Sequence, residues 1–205
     1  MSAHTATSPV PSTPPAPAED DCVLRAGPAW RRLFDELDRA GGPANLDRRL
    51  FAALMAAVPS HEPWIEAAAA FSERGYQRNR IMTGDGYEAL LMCWRPGQES
   101  PVHDHAGSLC GVRVLRGTCV EVRYERDIEG NCREIGTSRY RAGSVCVSFD
   151  ADTHKIANDA AGGCDLVTLH VYTPPLVSMK TYPALDPLAR YRIARSGGLM
   201  WGDGI

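Results

Sequence analysis

Gly97-Gln98-Glu99-Ser100-Pro101-Val102-His103-Asp104-His105 is the stretch on which the fold turns. Five residues intervene between Gly97 and His103, one between the two histidines, and eleven between His105 and a second glycine, Gly117. Residues two apart on a strand leave the same face. His103 and His105 can therefore chelate one ion from one side of a sheet. Glycine at each end permits a tight turn, so the spacing describes a hairpin frame with two ligands projecting inward. A second unit follows, in which ten residues separate Gly143 from His154 and three separate His154 from Asn158. It supplies a third ligand.

On both sides of this frame, from Tyr76 to about Tyr172, runs of Val, Leu, Ile, Tyr and Cys alternate with the turns Gly84-Asp85-Gly86, Glu129-Gly130-Asn131 and Ala161-Gly162-Gly163. That grammar predicts eight or so short antiparallel strands, closed as a barrel or jelly roll. Upstream, from about Ala29 to Arg74, the apolar spacing is helical: Trp30, Leu33, Phe34 and Leu37, then Leu46, Leu50, Phe51, Leu54, Met55 and Val58. Two helices are expected there and a third from near Pro63 to Arg74, with Ser60 as N-cap, Pro63 in the first turn and Gly75 as the stop. Residues 1–20 hold five of the fifteen prolines, too little apolar surface to offset the entropy of ordering them, and are expected to be a disordered tail. Residues 21–205 form one domain: a helical cover over 29–74, a barrel over about 76–176, and an extension over 177–205 with a strand or two and a Gly-rich end.

The 205 residues carry 22 Lys and Arg against 25 Asp and Glu, a net charge of −3. No basic excess exists to hold nucleic acid or an anionic membrane. No apolar run approaches the roughly 18 residues of a membrane span, and the N-terminus has neither the basic start nor the apolar segment of a secretory signal. The expectation is a cytoplasmic monomer. Its seven cysteines are odd in number and form no C-x-x-C pair, which argues against a disulfide framework or a structural zinc site. Most are expected to be buried, reduced thiols.

Taken together, the two histidine units resemble the cupin superfamily, whose motifs are G-x5-H-x-H-x3-4-E-x6-G and G-x5-P-x-G-x2-H-x3-N. Cys110 stands where the first motif has Glu, and Phe149 and Ala151 stand where the second has Pro and Gly. The implied fold class is mainly β, a cupin jelly-roll barrel with the helical block packed against it. The resemblance narrows to cysteine dioxygenase over residues 76–176, in its Arg-type, bacterial-like form. It is carried by Tyr76-Gln77-Arg78-Asn79, Cys93-Trp94, His103-Asp104-His105, Cys110, His154 and Thr168-Leu169-His170-Val171-Tyr172-Thr173-Pro174-Pro175.

That resemblance implies a thiol dioxygenase of cysteine catabolism, turning L-cysteine and O2 into cysteine sulfinic acid. It implies iron(II) on His103, His105 and His154, a Cys110–Tyr172 thioether, and a substrate pocket lined by Arg78, Tyr76, His170 and Tyr172. Three neutral imidazoles would leave the ion its full charge and open positions for an anionic, chelating substrate; zinc, nickel and manganese remain alternatives to iron. Residue chemistry agrees. Leu166, Thr168, His170 and Tyr172 share one face of a strand, and an inward His and Tyr are costly without partners or a task. Thr168 keeps the hydroxyl of the family's Ser-His-Tyr relay, making His170 a group that orients the Tyr172 phenol. Tyr76 and Arg78 are again two apart, and a guanidinium suits a carboxylate. Gln77 is expected to face out, which bears on one alternative, since relatives with Gln in the Arg position act on 3-mercaptopropionate. Cysteamine and homocysteine are further alternatives, and a noncatalytic metal-binding cupin is the remaining one.

Overall fold

The computed structural model describes residues 6–9, 26–149 and 153–183. Three helices precede the barrel: α1 (Pro28–Ala40), α2 (Arg48–Ala57) and α3 (Pro63–Ala68). The strands are β1 (Ala6–Pro9), β2 (Gln77–Gly84), β3 (Tyr87–Trp94), β4 (Val102–His103), β5 (Leu109–Arg116), β6 (Thr118–Arg126), β7 (Cys132–Arg141), β8 (Val145–Phe149), β9 (Thr153–Asn158), β10 (Leu166–Thr173) and β11 (Ser178–Tyr182). They form two antiparallel sheets, one of six strands in the order β1-β11-β4-β9-β6-β7 and one of five in the order β2-β3-β10-β5-β8. The expected mainly β jelly roll with a helical cover is what the chain adopts, with nine strands from β2 to β10 where eight or so were expected.

The first two helices follow from local sequence. In α1, Pro28 opens the first turn and Gly41 closes the helix in the left-handed conformation. Its buried residues Trp30, Leu33, Phe34 and Leu37 recur at the helical spacing read from the sequence. In α2, the Asp47 side chain caps the helix by accepting from the Leu50 N–H at 2.8 Å. The third helix differs from expectation. It ends at Ala68 and not near Arg74, because Asn79 donates to the Ala70 carbonyl at 2.9 Å and the Phe71 ring lies against the Arg95 guanidinium, 4.8 Å from its centroid. Both contacts tie the chain to the barrel and draw it out of helical geometry. Ser60 is not its cap either; Glu62 holds that position, and the Ser60 hydroxyl instead accepts from Arg113 at 3.3 Å.

The five-stranded sheet is buried on both faces. On β3 and β10, Ala89, Leu91, Cys93, Val167, Leu169 and Val171 pack with the helices, while Leu90, Met92, Trp94, Leu166 and Tyr172 face the barrel interior. Period-2 alternation thus separates a scaffold face from a chemical face. The frame glycines behave as the spacing predicts. Gly117 has φ +82°, and a Cβ there would come 2.7 Å from the Asp165 carbonyl, so the β5–β6 turn needs glycine.

Ala6–Pro9, inside the segment expected to be disordered, pairs antiparallel with β11. The rest of that segment lies outside the described residues, as does the chain beyond residue 183, including the expected Gly-rich end. β11 is one of the strands expected in the C-terminal extension. Among the described residues no helix is long and apolar enough to cross a membrane.

Candidate metal centre and substrate pocket

His103 and His154 face each other as paired residues across β4 and β9. His105 lies just past the end of β4, which stops at His103, so the shared-face reading holds for only part of the H-x-H unit. The chain is turned back at Ala106, whose φ is +49°; the Asp104 carboxylate accepts from the Ala106 N–H at 3.1 Å and from the Tyr182 hydroxyl at 2.6 Å. That small turn swings His105 toward the other two rings. Ligand atoms of the three buried histidines all lie within 4.8 Å of one another.

Hydrogen bonds fix which nitrogen two of the three rings offer. His103 Nδ1 meets the Pro101 carbonyl at 2.9 Å, an acceptor only, so that nitrogen carries the proton and Nε2 keeps its lone pair. His154 Nδ1 meets Glu121 Oε1 at 2.8 Å, which frees its Nε2 in the same way. His154 Nε2 then stands 3.1 Å from His105 Nε2, while the buried Nδ1 of His105 has no partner. Nitrogens bound at right angles to one ion, each about 2.1 Å from it, are about 3.0 Å apart, so the His105–His154 pair has the spacing of two ligands on one divalent cation, with His103 beside them. Burial and the neighbouring His154 lower the pKa of His103 to about 4, and burial with the same neighbour lowers His105 to about 2. Both rings are neutral at pH 7, as ligands must be.

Glu121 is the functional residue that sequence reading missed. Burial pushes its carboxyl up, but hydrogen bonds from His154 and Tyr140 outweigh that effect and hold it below the ordinary carboxylate range. The Tyr140 hydroxyl donates to Glu121 Oε2 at 3.1 Å. The available signal was an acid set between Val120 and Val122 on a strand, in step with the buried Cys119.

One pocket, of about 320 Å³, collects the remaining candidates: Tyr76, Arg78, His170 and Tyr172 line it together with the three histidines. Arg78 is only 5% exposed; its Nη2 lies 3.5 Å from Glu88, and its buried Nε has no partner. A guanidinium held this way offers a donor to an incoming anion. The half-buried Gln77 is not among the lining residues. Tyr76 stacks on Trp94 with ring centroids 4.3 Å apart.

Thr168, His170 and Tyr172 face inward from β10 as the alternation predicts. His170 Nε2 lies 3.0 Å from the Thr168 hydroxyl and its Nδ1 3.0 Å from the Tyr172 hydroxyl. Trp94, whose indole N–H can only donate, reaches Thr168 Oγ1 at 3.2 Å. The order that satisfies every group runs one way: Trp94 donates to Thr168, Thr168 to His170, and His170 to the Tyr172 oxygen. The phenol proton is then left for Cys110, which pairs with Tyr172 across β5 and β10 and is hydrogen-bonded to it. Burial raises the pKa of both Cys110 and Tyr172 well above their ordinary values, and burial with the nearby Arg78 keeps His170 neutral.

A two-sheet jelly-roll barrel with three buried histidines in one pocket defines a cupin with a candidate metal site. The chain belongs to the cysteine dioxygenase type I family, whose model matches residues 35–184. Cysteine dioxygenase type 1 of Danio rerio is 27% identical over 126 residues, which cover 59% of this chain and 62% of that one. The Rattus norvegicus protein of the same name is 27% identical over 148 residues, 70% of this chain and 72% of its own. For the Homo sapiens protein the figures are 27% over 140 residues, 66% and 68%. Among solved structures, a Klebsiella pneumoniae protein with a double-stranded β-helix domain aligns with a TM-score of 0.48 and 14% identity, covering 58% of this chain and 88% of that one.

Proposed function

We propose that the protein is a thiol dioxygenase that converts L-cysteine and O2 to cysteine sulfinic acid, using iron(II) held by His103, His105 and His154. The observation that carries this reading is the presence of a buried, partly unsatisfied Arg78 guanidinium in the same pocket as the three-histidine cluster. The ion, when bound, supplies the Lewis-acid and redox chemistry, lowering the pKa of a coordinating thiol and activating dioxygen.

This chain's own residues do the rest. Arg78 binds the substrate carboxylate and so fixes which end of the amino acid points at the histidines. Tyr76, braced on Trp94, closes one wall. The Tyr172 phenol, held in place by the chain from Trp94 through Thr168 and His170, lines the pocket beside the reacting sulfur and oxygen and orients them. Both oxygen atoms end on sulfur, which is oxidised as dioxygen is reduced, so no external reductant is needed. Arg78 lining the pocket, with Gln77 outside it, favours L-cysteine over cysteamine, which has no carboxylate, and over 3-mercaptopropionate, whose relatives carry Gln. The inward Thr168-His170-Tyr172 set argues against a noncatalytic cupin.

The adjacent Cys110 and Tyr172 further support an oxidative thioether: the thiol and a ring C–H lose one hydrogen each to dioxygen, and a C–S bond forms. Intact mass after turnover should fall by two hydrogens, a loss absent in Cys110→Ala, whose activity should drop without vanishing. The central test is to load the protein with iron(II), supply L-cysteine, and follow oxygen uptake and sulfinate. Metal-dependent sulfinate is expected; its absence would sink the reading.

A further inference from the structure

The barrel interior holds a second cavity on the far side of the histidine cluster. It lies between β5 and β8 of one sheet and β6, β7 and β9 of the other, walled by Val112, Val114, Cys119 and Ile156, with Glu121 and His154 at its inner end. Among the described residues only His154 and Ile156 are common to this cavity and the substrate pocket. The partition between them is therefore one side chain thick. The outer end falls where the two sheets stop, because β7 and β8 are their terminal strands and are not neighbours in either sheet. There Val145 and Cys146 are half-buried, and the cavity opens toward solvent.

Its chemistry is unlike that of the substrate pocket. The wall is mainly apolar; its polar members are Glu121, His154, Tyr140 and the hydroxyls of Ser144 and Ser148, and both carboxylate oxygens of Glu121 are already engaged by His154 and Tyr140. A charged amino acid would find no Lys or Arg for its carboxylate there. The cavity measures about 370 Å³ against about 320 Å³ for the substrate pocket, room for a small occupant. On the other side of the partition, Arg78 and Tyr76 form the space for the thiol.

We infer that this cavity is a binding site and approach route for dioxygen, a small apolar molecule that needs no hydrogen bond, kept separate from the path taken by the thiol. The inference rests on the dioxygenase reading above and deepens it. Dioxygen enters between β7 and β8, rests against Val114 and Ile156, and passes the Ile156 side chain to reach the histidine cluster while Arg78 retains the substrate.

Xenon is the probe, since it occupies small apolar sites without chemistry. Crystals of the wild-type protein pressurised with xenon should show an atom between Val114 and Ile156. Cys119→Leu and Val114→Phe, which fill the cavity, should abolish that atom and raise the KM for O2 several-fold with the KM for L-cysteine unchanged. No xenon in the wild type would overturn the site, and this arm needs no variant to fold. Filled variants that lose xenon yet keep the wild-type KM for O2 would overturn the route. Absence of thiol-dependent oxygen uptake by the iron-loaded wild type would overturn the functional reading and the dioxygen role together, while the xenon result would still report on the cavity.

Discussion

Arg78 and Glu121 show how much a single side chain is asked to do in a dry interior. Arg78 is held from one side by Glu88 at 3.5 Å and leaves Nε without a partner. A charge-assisted hydrogen bond to a carboxylate is worth about 1.5–3 kcal/mol, so Arg78→Gln should weaken L-cysteine binding by about 10- to 100-fold. Steady-state kinetics should show this as a raised KM for L-cysteine, with little change for cysteamine. Equal losses on both thiols would remove Arg78 from the carboxylate. Glu121 acts through His154, since its carboxylate fixes the tautomer and the ring orientation. Glu121→Gln keeps the shape but not the charge, and the loss in metal affinity expected for such partners is about 10- to 100-fold. Competition with a chelator would measure it, and an unchanged affinity would make Glu121 a packing residue.

Strands carry the part of this site that is readable without a structure. Thr168, His170 and Tyr172 occur at intervals of two in an otherwise apolar run, so their common face follows from strand geometry alone. The same rule misjudges His105, because β4 stops at His103 and the positive φ of Ala106 is set by a side-chain turn that periodicity does not encode. The role of Glu121 was illegible for a different reason. Its partner His154 is 33 residues away, and only the β6–β9 register brings them together. The C-terminal shortening of α3 likewise depends on Asn79 and Arg95, which lie beyond the helix. Between α2 and the barrel, one glycine decides the fit: a Cβ on Gly111 would stand 2.5 Å from the Phe51 ring, which is fully buried. Gly111→Ala should therefore cost about 1–3 kcal/mol by overpacking, lowering Tm by about 3–10 °C for a chain of this size. Phe51→Leu in the same chain should restore part of the loss in a calorimetric melt. A variant as stable as wild type would show that the helical cover can slide on the sheet.

The burial that makes the interior suitable for neutral ligands also governs the thiols of the whole molecule. Burial, countered in part by the hydrogen bond from Asn79, raises the pKa of Cys93 to about 12; burial and the nearby Glu121 raise Cys119 to about 12. Their ordinary value is 9.0. At pH 8 both are protonated as well as inaccessible, whereas Cys164 is exposed. Peptide mapping after iodoacetamide treatment of the folded protein at pH 8 should find Cys164 alkylated and Cys93 and Cys119 unmodified until denaturant is added. The same shifts set the alkaline limit of stability. As pH rises past about 9, thiols of the unfolded chain ionise while those of the folded chain do not, so proton release favours unfolding. The contribution is complete below about pH 9 and is lost as pH climbs toward the folded value of about 12. Thermal melts should therefore give a lower Tm at pH 10.5 than at pH 8, and the slope should flatten in a Cys93→Ala, Cys119→Ala double variant. An unaltered slope in that variant would place the alkaline sensitivity in other buried acids, of which Tyr87, raised by burial and by Asp38, is the first to examine.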